Sequence, residues 1–365
     1  MRSPLQRFSL FRQLAGLSLV LLAAGCSTTA VNSNRGGEGE GDVDNSTASM
    51  PAATAFESPQ LKALRILTAQ QDRLYRVAAP LLVNNAPLCR NFARNLIGFS
   101  AKNQYSYSED YVQAAQALGF GEQLQITGVL PDSGASRAGV MRGDLLTSVE
   151  GKAMPQGPKA EPDAAAILAP LVAKRTSVKL GLTRAGKSLV ASVPLTQACG
   201  FGIELGNTDN VNAYADGRRV LVTRGMLNFT RSDTELAYVL AKELAHNALR
   251  YPLRMRMTAT VGGIIDNLVR ISPDTSTLNG SGGVKPMPKD MDVAADTVAL
   301  YMLARAGYDV QGAHAFWQRL ADQYPASVPN GYTAIHPSTA ARMATIDRIV
   351  GNIQSKVAKK QPLFP

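Results

Sequence analysis

The sequence predicts an α+β fold, a mainly helical body that carries a β-rich insertion. Apolar residues at helical spacing open the ordered part near Leu61, strand-length runs punctuated by Gly and Asp fill 118–197, and a capped helix resumes at Ser232. With 365 residues and a hydrophobic fraction of 45%, the chain is long enough to bury two or three cores.

The first segment reads as an export signal. Arg2, Arg7 and Arg12 precede an apolar run from Leu14 to Ala24, too short to span a membrane, which ends in Gly25-Cys26. Leu22-Ala23-Ala24-Gly25-Cys26 resembles a bacterial lipobox, which implies removal of 1–25 and a lipid on Cys26. Ser27, where Asp would signal retention, implies an outer-membrane lipoprotein facing the periplasm. The plainer reading is an ordinary signal peptide with a chance cysteine. Without those three arginines, 35 basic residues stand against 28 acidic ones, and no basic run interleaved with aromatics points to nucleic acid.

Residues 26–57 are rich in Ser, Thr, Asn, Gly and Ala, with Gly37-Glu38-Gly39-Glu40-Gly41 at their centre. Such a stretch cannot form a core, and as a flexible tether it reaches roughly 30 Å. The helical segment 58–117 begins at Ser58-Pro59, an N-cap followed by a first-turn proline. Leu61, Leu64, Leu74, Val77 and Leu81 then mark one apolar face, and a second helix is expected from Tyr111 to Leu118.

After removal of the signal and modification of Cys26, Cys89 and Cys199 remain, and export places them where disulfides persist. A bridge between them would close the base of the insertion; two separate buried thiols are the other reading.

In the β-rich span, Ile126 to Leu130, Pro131 to Ala135, Ala138-Gly139-Val140, Gly143-Asp144-Leu145-Leu146 and Val149-Glu150-Gly151-Lys152 follow one another. Gly139 and Gly143 permit tight turns, Asp144 can cap the turn backbone, and Glu150-Gly151 closes a hairpin. A helix from Asp163 to Ala173 and a strand pair, Val178–Thr183 with Ser188–Val193, complete the pattern. The order resembles a PDZ domain of the bacterial protease-associated type. The resemblance implies binding of a polypeptide by strand addition, with Leu118-Gly119-Phe120-Gly121 as the loop that captures a C-terminal carboxylate.

From Gly200 onward four landmarks appear in order. Asn212-Ala213-Tyr214-Ala215 precedes Val220 to Gly225 as a hairpin. Ser232-Asp233-Thr234-Glu235, at capping-box spacing, opens a helix that continues into Lys242-Glu243-Leu244-Ala245-His246. Asp292-Val293-Ala294-Ala295-Asp296 leads to Ala304 through Asp309 and to Phe316-Trp317, and His336-Pro337-Ser338 precedes Arg342. These motifs resemble the metallopeptidase family that includes HtpX, BepA and the CAAX prenyl proteases, family forty-eight of the metallopeptidases, so 200–352 is expected to be a mainly helical zincin-like domain with a small sheet. A tail, 353–365, follows.

The resemblance implies roles residue by residue. Asn212, Ala213 and Tyr214 fall on the substrate-binding edge strand, Glu243 on the general base, and His246 and Asp292 on zinc ligands. Asp296 falls on the carboxylate that braces a histidine ligand, and His336, with Arg342 as a catalytic-site residue of the same motif, on the histidine that helps hold the substrate carbonyl in the transition state. The family's H-E-x-x-H is here K-E-x-x-H. A protonated lysine has no lone pair for zinc, so Lys242 is expected to replace the metal as counterion, pairing with Asp296. The alternatives are a lysine pointing to solvent, and a weak zinc site held by His246, Asp292 and water. His314 is expected to be structural, and a flap is expected from Gly262 to Lys289.

Three functions follow: an envelope lipoprotein that binds polypeptide through a PDZ domain and a peptidase-like groove with proteolysis lost or much reduced, an active zinc metalloendopeptidase in envelope protein quality control, or a purely structural lipoprotein.

Overall fold

A computed structural model describes residues 57–251, 289–324 and 340–365. The signal, Cys26, nearly all of the tether, His336, and the flap apart from Lys289 lie outside the described residues.

Helix α1, Pro59–Val83, starts as its sequence dictates: the Ser58 hydroxyl accepts from Leu61 N at 3.1 Å. Leu64, Leu74, Val77, Ala78 and Leu81 form its buried face. Arg73 projects from it into the C-terminal half, donating to Asp233 Oδ1 at 3.0 Å, Leu227 O at 2.8 Å and Ser232 O at 2.9 Å. One guanidinium thus fastens α1 to orphan carbonyls beside the next long helix. After α2, Ala86–Cys89, strand β1, Ala93–Leu96, pairs antiparallel with β8, Thr196–Cys199, as a two-stranded ribbon at the base of the insertion. Cys89 and Cys199 are joined there by a disulfide with Cα atoms 5.5 Å apart.

The β-rich unit is a six-stranded sheet ordered β2-β3-β4-β6-β7, with β5 off β4. Its strands are β2, Phe99–Lys102; β3, Gln125–Val129; β4, Leu145–Val149; β5, Lys152–Ala153; β6, Ser177–Arg184; and β7, Lys187–Pro194. The first strand therefore precedes the 118–197 span read from the sequence. Short helices α3, Val112–Ala117, and α4, Gly134–Arg137, together with α5, Ala160–Lys174, complete the unit. The turn residues adopt the expected conformations: Glu150 and Gly151 have φ of 51° and 79°, and Asp144 Oδ2 accepts from Met141 N at 2.9 Å. The Asp144 carboxylate also binds Arg184 through both oxygens, at 2.6 and 2.8 Å. Leu124, Ile126, Leu146, Val178, Leu180 and Val193 make a core of its own.

The C-terminal half has a three-stranded sheet ordered β10-β11-β9, formed by β9, Gly202–Gly206, β10, Ala213–Ala215, and β11, Arg219–Thr223. Helices α6, Arg224–Phe229, α7, Asp233–Ala248, α8, Lys289–Arg305, α9, Ala313–Gln323, and α10, Ala340–Ala358, make the rest. Helix α7 is buried on every face from Leu236 to Asn247 and forms the centre of the main core, against α1, α8 and the hairpin. A helix covered all round has no solvated face for a charge, so any charged group on it needs a partner inside the protein. The tail after α10 folds back: Arg305 lies 4.7 Å from the Phe364 ring and donates to Leu363 O. No helix among the described residues is long and apolar enough to cross a membrane.

Candidate functional site

The start of α7 sets the register of the site. Ser232 Oγ accepts from Glu235 N at 3.1 Å. The reciprocal half of the capping box is replaced: Glu235 accepts from Arg231 N at 2.7 Å and takes a bidentate contact from Arg319 at 2.8 and 2.7 Å. Two turns on, Lys242 points inward and has 0% exposure. Its Nζ donates to Asp292 Oδ1 at 2.5 Å, Asp292 O at 3.0 Å and Asp296 Oδ1 at 2.7 Å. All three ammonium donors are thereby directed at α8.

Arg342, from α10, completes the cluster. It donates to Asp296 Oδ2 at 2.7 Å and Oδ1 at 3.0 Å, lies 3.7 Å from Asp292 Oδ2, and stacks 5.0 Å from the centre of the Trp317 ring. Burial alone would raise the Asp296 carboxyl, but Lys242 and Arg342 outweigh it and hold the group below the usual carboxylate range. The Arg342 guanidinium is pushed up, because Asp296 more than offsets its burial. Two cations, Lys242 and Arg342, therefore face two carboxylates, Asp292 and Asp296. The two Arg342 nitrogens that face Asp296 are committed to it.

Glu243, next to Lys242, is 1% exposed. Its carboxyl is pushed up to about 8, first by burial and then by Asp292, with Lys242 opposing. Its Oε1 has no hydrogen-bond partner among the described residues. At neutral pH Glu243 is therefore mostly a neutral acid, and a general base needs the opposite protonation state. His246, one turn after Lys242, is buried with its ring 6.1 Å from that of Tyr251.

Among the described residues no three of His, Cys, Asp or Glu are grouped to hold a metal. The donor chemistry explains this, since an ammonium occupies the carboxylate oxygens that a zinc ion would need and itself offers no lone pair. The residues present do not fit zinc.

Asn212, Ala213 and Tyr214 lie where β10 runs along the sheet edge, antiparallel to β11. Asn212 Nδ2 donates to the Tyr214 hydroxyl at 3.2 Å, and burial pushes that phenol up to about 12. The hairpin is fixed to α7 by Asn247, which sequence reading missed: its Oδ1 accepts from Gly217 N at 2.6 Å and its Nδ2 donates to Arg219 O at 2.9 Å. His314 is half-buried and pairs with Asp347 at 2.8 Å, outside the Lys242 cluster.

The loop Leu118-Gly119-Phe120 is corrected as a carboxylate-capturing turn. Leu118 N bonds to Ala114 O, Gly119 N to Gln116 O and Phe120 N to Ala115 O, so all three amides cap the end of α3. Phe120 is buried against Leu64, Ala114 and Ala115. The strand that sequence reading overlooked, β2, ends the sheet on one side and is entered through Gly98, whose φ is +90°. A Cβ on Gly98 would lie 2.5 Å from Ser133 Oγ, so only glycine fits this approach.

Residues 180–350 match the profile described as Peptidase family M48. The chain is 28% identical over 163 residues to the "Beta-barrel assembly-enhancing protease" of Yersinia pestis, a match covering 40% of this chain and 33% of that protein. It is 31% identical over 145 residues to the "Putative beta-barrel assembly-enhancing protease" of Vibrio cholerae serotype O1, covering 35% and 30% of the two chains. The matches thus span about a third of these relatives' length. Among solved structures, 29% of the chain is similar to 88% of the HtrA3 PDZ domain bound to the phage-derived ligand FGRWV, at 17% identity and a TM-score of 0.22.

Proposed function

We propose that this chain, whose residues 180–350 are a peptidase family M48 domain, binds polypeptide in the cell envelope without cutting it. The observation that carries this reading is the Lys242 ammonium, held 2.5 Å from Asp292 Oδ1 and 2.7 Å from Asp296 Oδ1 where the family has a zinc ligand. A buried ion pair with every donor satisfied is costly to disrupt, so zinc would have to displace a cation already bound to the oxygens it needs. Proteolysis through this family's metal is lost or much reduced.

Binding, in contrast, needs no metal. The β-rich unit has the element order of a PDZ domain, and β2 offers a sheet edge to which an extended segment can add by backbone hydrogen bonds. The names of the relatives, beta-barrel assembly-enhancing proteases, support a client among envelope polypeptides. Lipidation at Cys26 and outer-membrane placement belong to the same reading, supported by the lipobox-like run. The alternative, an active zinc metalloendopeptidase, is favoured by the presence of Glu243 and His246 at their family positions.

The test is incubation of the chain from Ser27 onward with a permanently unfolded protein such as reduced, alkylated lactalbumin. Retention of intact client on immobilised chain is expected. Client fragments that disappear with a chelator would establish the alternative, and absence of retention would leave neither.

A further inference from the structure

Four arginines with no carboxylate partner gather around one short segment, Cys199 to Gly202, which joins β8 to β9. Arg90 follows Cys89, the disulfide partner of Cys199. Arg94 lies on β1 beside Gly200, where an added Cβ would come 2.5 Å from its Cγ, and Gly200 N donates to Phe92 O at 2.8 Å. Arg218 O accepts from Gly202 N at 3.0 Å. The Arg250 guanidinium lies 5.7 Å from the centre of the Phe92 ring, which in turn sits 5.2 Å from that of Phe201. All four arginines are exposed.

The carboxylates two residues from Gly202 and from Arg218 in the chain are already used. Glu204 and Asp216 both pair with a fifth arginine, Arg219, at 3.3 and 3.2 Å. Among the described residues, Arg90, Arg94, Arg218 and Arg250 form no ion pair. Exposed surfaces normally intersperse the two signs of charge, so an unbalanced group of four is a local electropositive field.

A second observation is independent of charge. Arg90 and Arg250 occupy left-handed backbone positions, with φ of 48° and 63°. Glycine is the residue of least conformational cost there, and at the end of a helix such as α7 it is the usual one. Two of the four arginines therefore stand where glycine would fold at lower cost.

We propose that this arginine patch is a docking surface for the phosphate headgroups of an anionic membrane. Guanidinium groups match phosphate oxygens through paired donors, and several of them on one surface bind an anionic leaflet additively. The inference rests on the envelope-anchored reading above and goes beyond it. The tether expected from the sequence joins the start of α1, a 25-residue helix about 37 Å long, while Arg90 and Arg94 follow its other end in the chain. Anchor and patch together would hold α1 along the bilayer, a two-point attachment stronger than one lipid chain gives.

The experiment is vesicle sedimentation with the chain from Ser27 onward, which keeps every described residue and lacks the lipid. Vesicles of phosphatidylcholine alone are compared with vesicles containing about one third phosphatidylglycerol, each at low and raised sodium chloride. Binding to the anionic vesicles only, weakening with salt, is expected, and each arginine removed should lower it roughly five-fold. Arg250→Gly and Arg218→Gln are the variants. The first relieves a left-handed residue, so its melting temperature should hold or rise while vesicle binding falls.

Equal binding to both vesicle types, no binding, or undiminished binding by the double variant would overturn the proposal. So would release by polyglutamate at concentrations where chloride of equal ionic strength has no effect, which would assign the patch to an acidic polypeptide. Stronger release by inorganic phosphate than by matched chloride would assign it to free phosphate. None of these readouts depends on client retention or cleavage, so this proposal and the binding function fail separately.

Discussion

The ammonium of Lys242 lies 2.7 Å from Oδ1 of Asp296, and neither side chain has more than 3% of its surface exposed. This pair decides the chemistry of the pocket. With Arg342 on the far oxygen, Asp296 is enclosed by two cations before any ligand arrives.

Removing the lysine charge should therefore damage folding more than function. Lys242→Met takes the ammonium away from Asp292 and Asp296, and breaking a buried pair in this way costs about 3–5 kcal/mol. Denaturant unfolding should show that loss, and the double variant Lys242→Met, Asp296→Asn should recover a good part of it. Equal losses in the single and double variants would mean that the pair is not coupled.

Glu243 gives a pH signature of its own. Its folded value, about 8, lies above the ordinary 4.5. Below about pH 4.5 both states hold the proton and nothing is lost; as pH rises toward 8 the unfolded chain releases it first, and stability falls. Glu243→Gln removes that loss. The variant should match wild type near pH 4.5 and exceed it by about 2–4 kcal/mol near pH 8, measured by thermal melts across the range.

Asp296 acts in the opposite sense. Lys242 and Arg342, outweighing burial, hold its carboxyl below the ordinary 3.8. Its contribution is complete above that value and is lost as pH falls through the lowered one, so acid should weaken this cluster. Tryptophan fluorescence reads it directly, since Trp317 stacks on Arg342 and is the one tryptophan in the chain.

The Cys89–Cys199 bridge closes a 110-residue separation around the insertion. Replacing both cysteines by alanine should lower stability by about 2–4 kcal/mol. The β-rich unit has its own core, so its amides should stay protected from hydrogen exchange while those of β1 and β8 lose protection.

Much of this was legible in the sequence, and the parts that were not have physical causes. Lys242 was placed in the pocket because it stands one helical turn from His246, and periodicity fixes direction on a helix. The contact of Arg342 with Asp296 was not legible, because motif spacing does not reveal that two buried carboxylates need two cations. The Leu118-Gly119-Phe120 turn misled because the same glycine signal serves an anion-binding loop and a helix cap, and here α3 consumed the amides. Strand β2 was overlooked because four residues, Phe99-Ser100-Ala101-Lys102, carry too little alternation, and their partner strand begins only at Gln125. The arginine patch was invisible because its members come from three separate segments, 90–94, the turn at 218 and the end of α7 at 250, brought together by the disulfide-linked ribbon and the hairpin.

The most direct test of the central claim is the zinc content of the purified chain from Ser27 onward, by elemental analysis, with Lys242→His measured beside it. A metal-free wild type and about one zinc per chain in the variant are predicted, because histidine restores a lone pair at the position that lysine has closed. Stoichiometric zinc in the wild type would contradict the account and make the chain a metalloendopeptidase.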